Sequence, residues 1–244
     1  MKGAPLRLVQ YGLVNSYLVA EDDGFTLVDA GLPGLERSVK RIVKSTGRPL
    51  KRITLTHGHT DHFGAVDTLK AADPHLEILV GTEDRRLLAE RGCRTLPTHV
   101  LKDGDRVGSL LVIATPGHSP GHVAYYDERN GALYAGDTFV NVPRLHVASE
   151  LSMVFPLPTF GTHDPAQTVR SARLLLDIPA RFLAAGHGPV LTDPLPAMRR
   201  AVEAAERSRD GSPVPRMVAG AVGRLTSVVT SAGTALQQRV FRKH

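Results

Sequence analysis

A single cysteine, the absence of tryptophan and an aromatic content of only 5% are the first features of this 244-residue sequence. Cys93 alone cannot form a disulfide bond within the chain, and no thiolate cluster is available for a structural zinc site. Any bound metal ion must therefore be held by histidine and carboxylate side chains. No uncharged apolar run approaches the 18 residues that a membrane span needs, and the first residues lack the apolar core of a signal peptide. We therefore expect a cytoplasmic protein.

Charge is distributed unevenly along the chain. The net charge of +6 comes from residues 199–244, because residues 1–198 contain equal numbers of basic and acidic residues. A neutral body argues against an extended channel for a phosphate backbone, so no nucleic-acid partner is expected. Hydrophobic residues make up 42% of the chain, which is enough to form the core of one large domain.

The C-terminal part of the chain differs from the rest. A proline-containing stretch at 212–215 indicates a linker, and beyond it apolar residues recur every three to four positions, as in an amphipathic helix. We therefore divide the chain into a main domain, 1–209, and a basic, amphipathic tail, 210–244. The tail is expected to dock on the body or on a second copy in a homodimer, and membrane association through anionic lipid is the alternative.

The order of predicted elements defines the fold class. Alternating apolar residues, β-branched runs and turn residues predict strands over 6–10, 17–19, 25–28, 53–56, 76–80, 110–114, 123–126, 132–135 and 181–185. Helical spacing predicts helices over 34–46, 65–72, 82–90, 164–176 and 196–209, with Thr82 and Asp164 as N-terminal caps. Asn130-Gly131 favours a type I′ hairpin. Two strand-rich stretches, each followed by helices, predict an α/β protein built as a four-layer αββα sandwich.

One predicted strand ends in a dense cluster of possible metal ligands. The segment between the strand 53–56 and the following helix is His57-Gly58-His59-Thr60-Asp61-His62. At a strand-to-helix turn these side chains can point to different sides, so one loop can supply ligands to two adjacent cations. A chain of this composition contains such a pattern by chance with a probability on the order of 10⁻³. The segment therefore predicts a metal site.

Three more possible ligands stand beside glycines at predicted strand ends: His118, Asp137 and His187. A neighbouring glycine lets the backbone turn sharply and lets a cation approach closely. Together with the first cluster they give five histidines and two aspartates. This donor set suits two divalent ions, Zn(II) first, with Mn(II) or Fe(II) as alternatives.

The order and spacing of these residues resemble the metallo-β-lactamase superfamily, and the resemblance extends from residue 6 to about residue 195. It implies the αββα fold, with 1–209 as the catalytic domain, and a dinuclear site. In that site His57, His59 and His118 would bind one ion, Asp61, His62 and His187 the other, and Asp137 would bridge them. The resemblance also implies hydrolysis by a metal-bridging hydroxide, with Asp61 and Asp137 as catalytic residues. We therefore expect a hydrolase of a small-molecule ester, lactone, thioester or related acyl substrate.

Differences from individual subfamilies narrow the choice of reaction and substrate. His59 replaces the glutamate of the diiron flavoproteins, which argues against a redox role. Val140 stands where quorum-quenching lactonases carry a substrate-contacting tyrosine. Residues 139–143 replace the glycine- and cysteine-containing motif of glyoxalase II, so a hydroxyacylglutathione hydrolase is an alternative, as is a persulfide dioxygenase with one Fe(II). The neutral body and the length of the chain argue against a nuclease.

Three further features have two interpretations each. Asp29 either accepts a hydrogen bond from a ligand histidine or ends a strand in a turn. His122, four residues after His118, either contacts substrate or packs in the interior. Residues 138–163 fit no period and contain three prolines, so they form either a substrate-binding lid or a surface loop. Cys93 is far in sequence from every ligand and is expected to have no catalytic role.

Overall fold

The computed structural model describes residues 3–211, in which two six-stranded β-sheets are the largest elements. Strands β1 to β6 pair in chain order and comprise Leu6–Gln10, Val14–Glu21, Gly24–Val28, Leu50–Thr54, Glu77–Gly81 and His99–Leu101. Strands β7 to β10 comprise Arg106–Val107, Leu110–Ala114, Val123–Asp127 and Ala132–Gly136. Strands β11 to β14 comprise Phe139–Asn141, Leu145–Val147, Phe182–Ala185 and Leu191–Thr192. The second sheet has the order β14-β13-β10-β9-β8-β7, and β11 and β12 form a separate hairpin.

Seven α-helices connect and cover the sheets in the described part of the chain. They are α1 to α7, at Leu35–Thr46, Thr60–Phe63, Val66–Ala72, Asp84–Glu90, Leu157–Gly161, Pro165–Leu174 and Leu195–Gly211. Helix α6 begins as predicted, because the Asp164 side chain accepts a hydrogen bond from the Gln167 N–H and proline occupies the first turn. Helix α1 ends as predicted at Gly47, whose N–H donates to the Val43 carbonyl.

Three buried apolar clusters show how the elements are layered. The cluster between the sheets combines residues of both, among them Tyr17, Val19, Val28, Val112, Tyr125 and Tyr134. The outer face of the first sheet packs on α1 and α3 through Leu27, Ile53, Leu35, Val39 and Val66. The outer face of the second sheet packs on α6 and α7 through Leu133, Leu183, Val169, Met198 and Val202. Helix, sheet, sheet and helix therefore follow one another, which confirms the predicted αββα sandwich.

Strand direction brings several loops to one edge of the sandwich. In the first sheet β3 to β6 run parallel, and in the second sheet β10 runs parallel to β13. Two buried tyrosines connect the sheets near the carboxyl ends of these strands. The Tyr17 hydroxyl donates to the Ala185 carbonyl, and the Tyr125 hydroxyl donates to the Leu55 carbonyl, both at 2.7 Å. The loops at this edge are thus held by both sheets.

Two predicted local features are wrong. Thr82 does not cap α4, because its hydroxyl donates to the Leu101 carbonyl across the sheet and the helix begins only at Asp84. The β9–β10 connection is not a two-residue type I′ turn, which needs positive φ at both central residues. Its four residues are 128–131, and of Asn130 and Gly131 only the glycine has a positive φ.

The predicted irregular segment 138–163 contains more regular structure than its sequence indicated. Its first part forms the β11–β12 hairpin, and its last part contains the single-turn helix α5. The hairpin is too short, and its strands too close to prolines, to give a period in the sequence. Between them, residues 148–156 form neither helix nor strand.

The chain divides into two units, Met1–Arg207, which holds both sheets, and Ser208–His244. The predicted tail, apart from residues 210 and 211, lies outside the described residues, so its helix and its docking stay predictions, as does the boundary at 209. No helix among residues 3–211 is long and apolar enough to cross a membrane.

Candidate metal centre

The strand ends at the shared edge carry all seven predicted ligands. Strand β4 ends at Thr54, two residues earlier than predicted, and the chain then passes through a loop into α2, which together carry the cluster 57–62. On the second sheet, His118 lies between β8 and β9, Asp137 follows β10, and His187 follows β13. Because β10 and β13 are parallel, their two loops lie side by side.

The seven side chains converge on one site. Their donor atoms form groups in which all atoms lie within 4.8 Å of one another. We call His57, His59 and His118 the three-histidine group, and Asp61, His62 and His187 the mixed group. The third such group, His57, His62 and Asp137, connects the first two.

Asp137 lies between the three-histidine group and the mixed group. Its Oδ2 is 3.5 Å from His118 Nε2 and 3.1 Å from His187 Nε2. Its Oδ1 is 3.6 Å from His62 Nε2. One carboxylate can therefore contact cations bound at both groups.

The site is closed to solvent except at one residue. The five histidines and Asp137 are buried, whereas the Asp61 side chain is 34% exposed. Asp61 Oδ2 is 3.4 Å from His187 Nε2. The entrance of the site therefore lies beside the mixed group.

Several buried donor atoms have no hydrogen-bond partner in the described part of the chain. They include His57 Nε2, His62 Nε2 and Asp137 Oδ1. Leaving a buried polar atom unpaired costs about 1–3 kcal/mol. Cations bound at the ligand groups would satisfy all three, and imidazole nitrogens with carboxylate oxygens form a donor set suited to zinc and similar ions. The residues present therefore fit a metal site.

The rings of the three-histidine group are uncharged at neutral pH. Burial lowers the pKa of His57 well below its ordinary value, and the neighbouring histidines lower it further. Burial likewise lowers the pKa values of His59 and His118 to about 3. All three rings can offer a nitrogen lone pair to a cation without first losing a proton.

The mixed group has the opposite electrostatics. Burial alone would lower the pKa of His62, but Asp137, Asp29 and Asp61 raise it well above its ordinary value. Asp137 and Asp61 likewise overcome burial and raise the pKa of His187 to about 9. In turn, His62 and His187 hold the pKa values of both carboxyls below their ordinary range, against the effect of burial. Without a cation, protons on these two histidines balance the carboxylates.

Asp29 lies behind His62, so the structure favours the first of its two interpretations. Its Oδ2 is 2.9 Å from His62 Nδ1, an arrangement that fixes the ring with Nε2 facing the site. The carboxylate also accepts hydrogen bonds from the backbone N–H and the hydroxyl of Thr56. Asp29 adopts a φ of 59°, which turns the chain at the end of β3 and directs the carboxylate inwards.

His122 lies behind Asp137 and is buried, which places it away from the entrance. Its Nε2 accepts a hydrogen bond from the Asp137 backbone N–H at 3.1 Å, and its Nδ1 is 2.8 Å from the Thr115 hydroxyl. Burial lowers the pKa of His122 to about 3, so the ring is neutral and can accept that bond. His122 therefore positions Asp137, and of its two interpretations the structure favours packing.

Asp84 is a residue of the site that sequence reasoning missed. This fully buried carboxylate accepts hydrogen bonds from Gly58 N–H, Ser119 Oγ–H and Gly121 N–H, at 2.5 to 2.7 Å. It joins the loop that carries His57 and His59 to the loop that carries His118. Its only signal in the sequence is an acid near the start of a predicted helix, which is common at any helix N-terminus.

Two glycines allow the ligand loops to approach one another. A Cβ atom at Gly186 would lie 2.2 Å from Asp137 Oδ1 and 2.7 Å from His62 Cε1. Gly136 has a φ of 48°, and a Cβ there would lie 2.6 Å from His122 Nε2. The glycines beside Asp137 and His187 are therefore required by close contacts.

Two residues of the segment 138–163 contact ligand histidines. The Phe155 ring lies 4.9 Å from the His187 ring, and the Thr162 hydroxyl is 2.9 Å from His118 Nδ1. His146, by contrast, contacts the Arg144 carbonyl and does not belong to the ligand groups. Cys93 lies beside Asp67, and burial raises the pKa of its thiol to about 11.

Comparisons with known proteins agree with this geometry. Residues 9–187 match the family model of the metallo-beta-lactamase superfamily. The chain is 37% identical over 212 residues to the uncharacterized protein YobT of Bacillus subtilis strain 168. The aligned region covers 80% of this chain and 91% of that protein. It is 34% identical over 116 residues to a hydroxyacylglutathione hydrolase of Legionella pneumophila strain Lens, or 46% of this chain and 42% of that enzyme. The crystal structure of TTHA1623 in a di-iron-bound form is similar with a TM-score of 0.62 and 31% identity, over 82% of this chain and 98% of the other.

An αββα sandwich with histidines and aspartates gathered at the strand ends of both sheets defines a class of metal-dependent hydrolases. The chain belongs to the metallo-β-lactamase superfamily within that class. The predicted family, fold and enzyme class are thereby confirmed.

Proposed function

We propose that this chain is a dinuclear metal-dependent hydrolase that cleaves an ester, lactone, thioester or related acyl bond of a small molecule. The observation that carries the proposal is the pair of ligand groups with Asp137 between them. A mononuclear enzyme has no need of the mixed group, whose buried carboxylates are balanced without a cation only by protons on His62 and His187.

In this proposal His57, His59 and His118 would hold one ion, Asp61, His62 and His187 would hold the other, and Asp137, which lies between the two groups, would contribute to both. Divalent ions at such a site polarise an acyl carbonyl and bring the pKa of a bound water towards neutrality. We favour Zn(II), with Mn(II) or Fe(II) as alternatives. The iron form of the similar TTHA1623 structure makes iron a real competitor.

The protein's own groups orient the reaction. Asp61 is ionised, is the exposed member of the site, and can accept a hydrogen bond from a water at the entrance. The Asp137 backbone N–H donates a hydrogen bond to His122 Nε2, which holds Asp137 in position. Asp29 fixes the ring of His62, and Asp84 fixes the spacing of the two histidine loops. These contacts keep the donors in place before substrate arrives.

Two alternatives have specific support or opposition. The partial similarity to a hydroxyacylglutathione hydrolase supports thioester cleavage. Against it, residues 139–141, where glyoxalase II carries its own motif, form the buried strand β11. A persulfide dioxygenase with one Fe(II) would leave the mixed group without a role. We propose a cytoplasmic enzyme with no nucleic-acid substrate.

Metal analysis tests the proposal directly. Protein purified without added metal should contain about two ions per chain, and a chelator should remove both the ions and the hydrolysis of a simple aryl ester. When Zn(II) is added back to the metal-free protein, activity should return as the second equivalent of zinc binds. One iron per chain together with oxygen consumption on a persulfide would support the oxygenase and overturn the hydrolase.

A further inference from the structure

One segment of the chain lies against the metal centre and contains only uncharged side chains. We call residues 155–161 the mouth segment. At its start, the Phe155 ring packs against the His187 ring at 4.9 Å. At its end, a Cβ atom on Gly161 would lie 3.2 Å from His59 Cε1, so the backbone there touches the three-histidine group. The segment therefore spans the site from the mixed group to the three-histidine group.

The mouth segment is fixed by its own hydrogen bonds. The Thr159 hydroxyl donates to the Glu150 carbonyl at 2.6 Å, and the Thr162 hydroxyl just beyond it lies close to the Pro158 carbonyl and His118 Nδ1. Pro158 is buried beneath the helix. The side chains on the opposite face therefore have a defined position relative to the metal centre.

That outer face is apolar. Leu157 and Phe160 are three residues apart on the single turn of α5, so they share a face, and they are 59% and 44% exposed. Met153 and Val154, just before the segment, are exposed as well. Residues 151–162 contain no charged side chain. This segment has no charged group of its own to pair with a charged substrate group, whereas it can cover a hydrocarbon chain.

We propose that Leu157 and Phe160 bind the hydrocarbon chain of the acyl substrate and make this enzyme selective for medium-length acyl groups. This inference rests on the proposed acyl hydrolysis. The acyl carbonyl lies at the metal centre, and the chain extends over the exposed face of α5. Binding is continuous with the site because Phe155 and Gly161 touch its histidines on either side.

A series of p-nitrophenyl esters from acetate to octanoate measures the selectivity on the full-length, metal-loaded enzyme. Complete burial of one CH₂ group corresponds to about a fourfold gain, so a wall on one side should give about twofold in kcat/KM per CH₂. Octanoate should thus exceed butyrate by on the order of tenfold. Leu157→Ala and Phe160→Ala should each reduce that ratio by about threefold or more. Leu174→Ala, on α6 and similarly exposed at 47%, is the matched control and should leave the ratio unchanged.

Direct binding separates this inference from the proposed reaction. Calorimetry should show octanoate binding more tightly than butyrate, and both mouth-segment variants should lose that difference while keeping two metal ions. If no ester is cleaved but this binding difference is present, the hydrolysis is overturned and the chain-binding wall stands. If esters are cleaved without chain-length preference and octanoate binds no better than butyrate, the wall is overturned and the hydrolysis stands.

Other occupants of the same face give different results. Co-sedimentation with phosphatidylcholine vesicles that is lost in Leu157→Ala would assign the face to a membrane and overturn the proposal. A dimer in sedimentation that becomes a monomer in the same variant would assign it to a second copy, with the same consequence.

Discussion

The three-histidine group and the mixed group lie side by side, yet they are built on different electrostatics. Behind the first stand neutral hydroxyls, Thr56 at His57 and Thr162 at His118. Behind the second stands the carboxylate of Asp29, and two more carboxylates face its histidines. The first group therefore offers neutral imidazole nitrogens to a cation. In the second group, protons on His62 and His187 balance the negative charge of the carboxylates until a cation replaces them.

Removal of Asp137, the residue that joins the groups, should have the largest effect. Asp137→Ala should reduce kcat by about 10³-fold or more and should lower the metal content below two ions, because no carboxylate remains between the two groups to offset repulsion between the cations. Metal analysis and aryl-ester kinetics on the purified variant measure both effects. Asp177→Ala, an exposed aspartate on the outer side of the fold, is the control. Unchanged turnover and stoichiometry in Asp137→Ala would remove this residue from the site.

The pH dependence of metal affinity should differ between the groups. Since the pKa of His187 is raised to about 9 and that of His62 is also raised, a cation entering the mixed group must displace protons. Its affinity should rise with pH up to about 9, by about tenfold per pH unit for each proton displaced. A cation already bound in the three-histidine group moves this pH range lower, but the affinity of the mixed group still rises with pH.

The three-histidine group has no protons to lose above pH 5, because the pKa values of His59 and His118 are about 3. Its affinity should therefore be flat between pH 5 and pH 9. Zinc titration in buffers of different ionisation enthalpy counts the protons released for each ion. Equal proton release for the first and second ions would contradict the comparison.

Substitution of the outer partners should affect the two groups unequally. Asp29→Asn keeps the shape of the side chain but removes its charge, so it should weaken the ion in the mixed group by about 10- to 100-fold. Thr162→Val removes only a neutral partner and should weaken the ion in the three-histidine group by a few-fold, about the effect of one hydrogen bond. Competition with a chelator at one fixed pH, for each variant and for the unmodified protein, measures both constants. Equal losses at both ions in Asp29→Asn would show that the groups do not act separately.

Truncation after Asp210 should have the smallest effect on the site. The seven proposed ligands all precede residue 188, and the excess positive charge lies in the C-terminal part of the chain. We expect two ions to remain bound and kcat on a small ester to stay within a few-fold, while solubility or oligomeric state changes. Loss of turnover in a folded, fully metallated product would show instead that residues after 210 contribute to the pocket.

The sequence alone identifies the site best where several potential ligands lie close together in the chain. The cluster 57–62 and the glycine-flanked His118, Asp137 and His187 were found without structural information, because each follows a recognisable strand. The αββα order followed from the alternation of strand and helix patterns. Asp29 is a candidate for a different reason, because it matches a position near the metal loop in the superfamily that the sequence resembles.

Features that depend on tertiary contacts were not predictable. Asp84 is an ordinary acid near a helix start until the fold brings Gly58, Ser119 and Gly121 to it. Thr82 has the residue type of a helix cap, but pairing with Leu101 across the sheet outweighs that preference. The mouth segment has no local period, and its position follows from contacts with histidines that lie 32 to 102 residues away.

The distribution of ligands along the chain also sets an order in time during synthesis on the ribosome. His187 follows His57 by 130 positions, and His118 lies almost midway. At about 5–20 residues per second, the interval between the first and last ligand is roughly 6–26 s. The three-histidine group is complete well before the mixed group, which lacks His187 until the last strand of the parallel pair has emerged. In the proposed dinuclear site, loading of the second ion is therefore a step that only the nearly finished chain can perform, and a product that ends before residue 187 would retain at most the first.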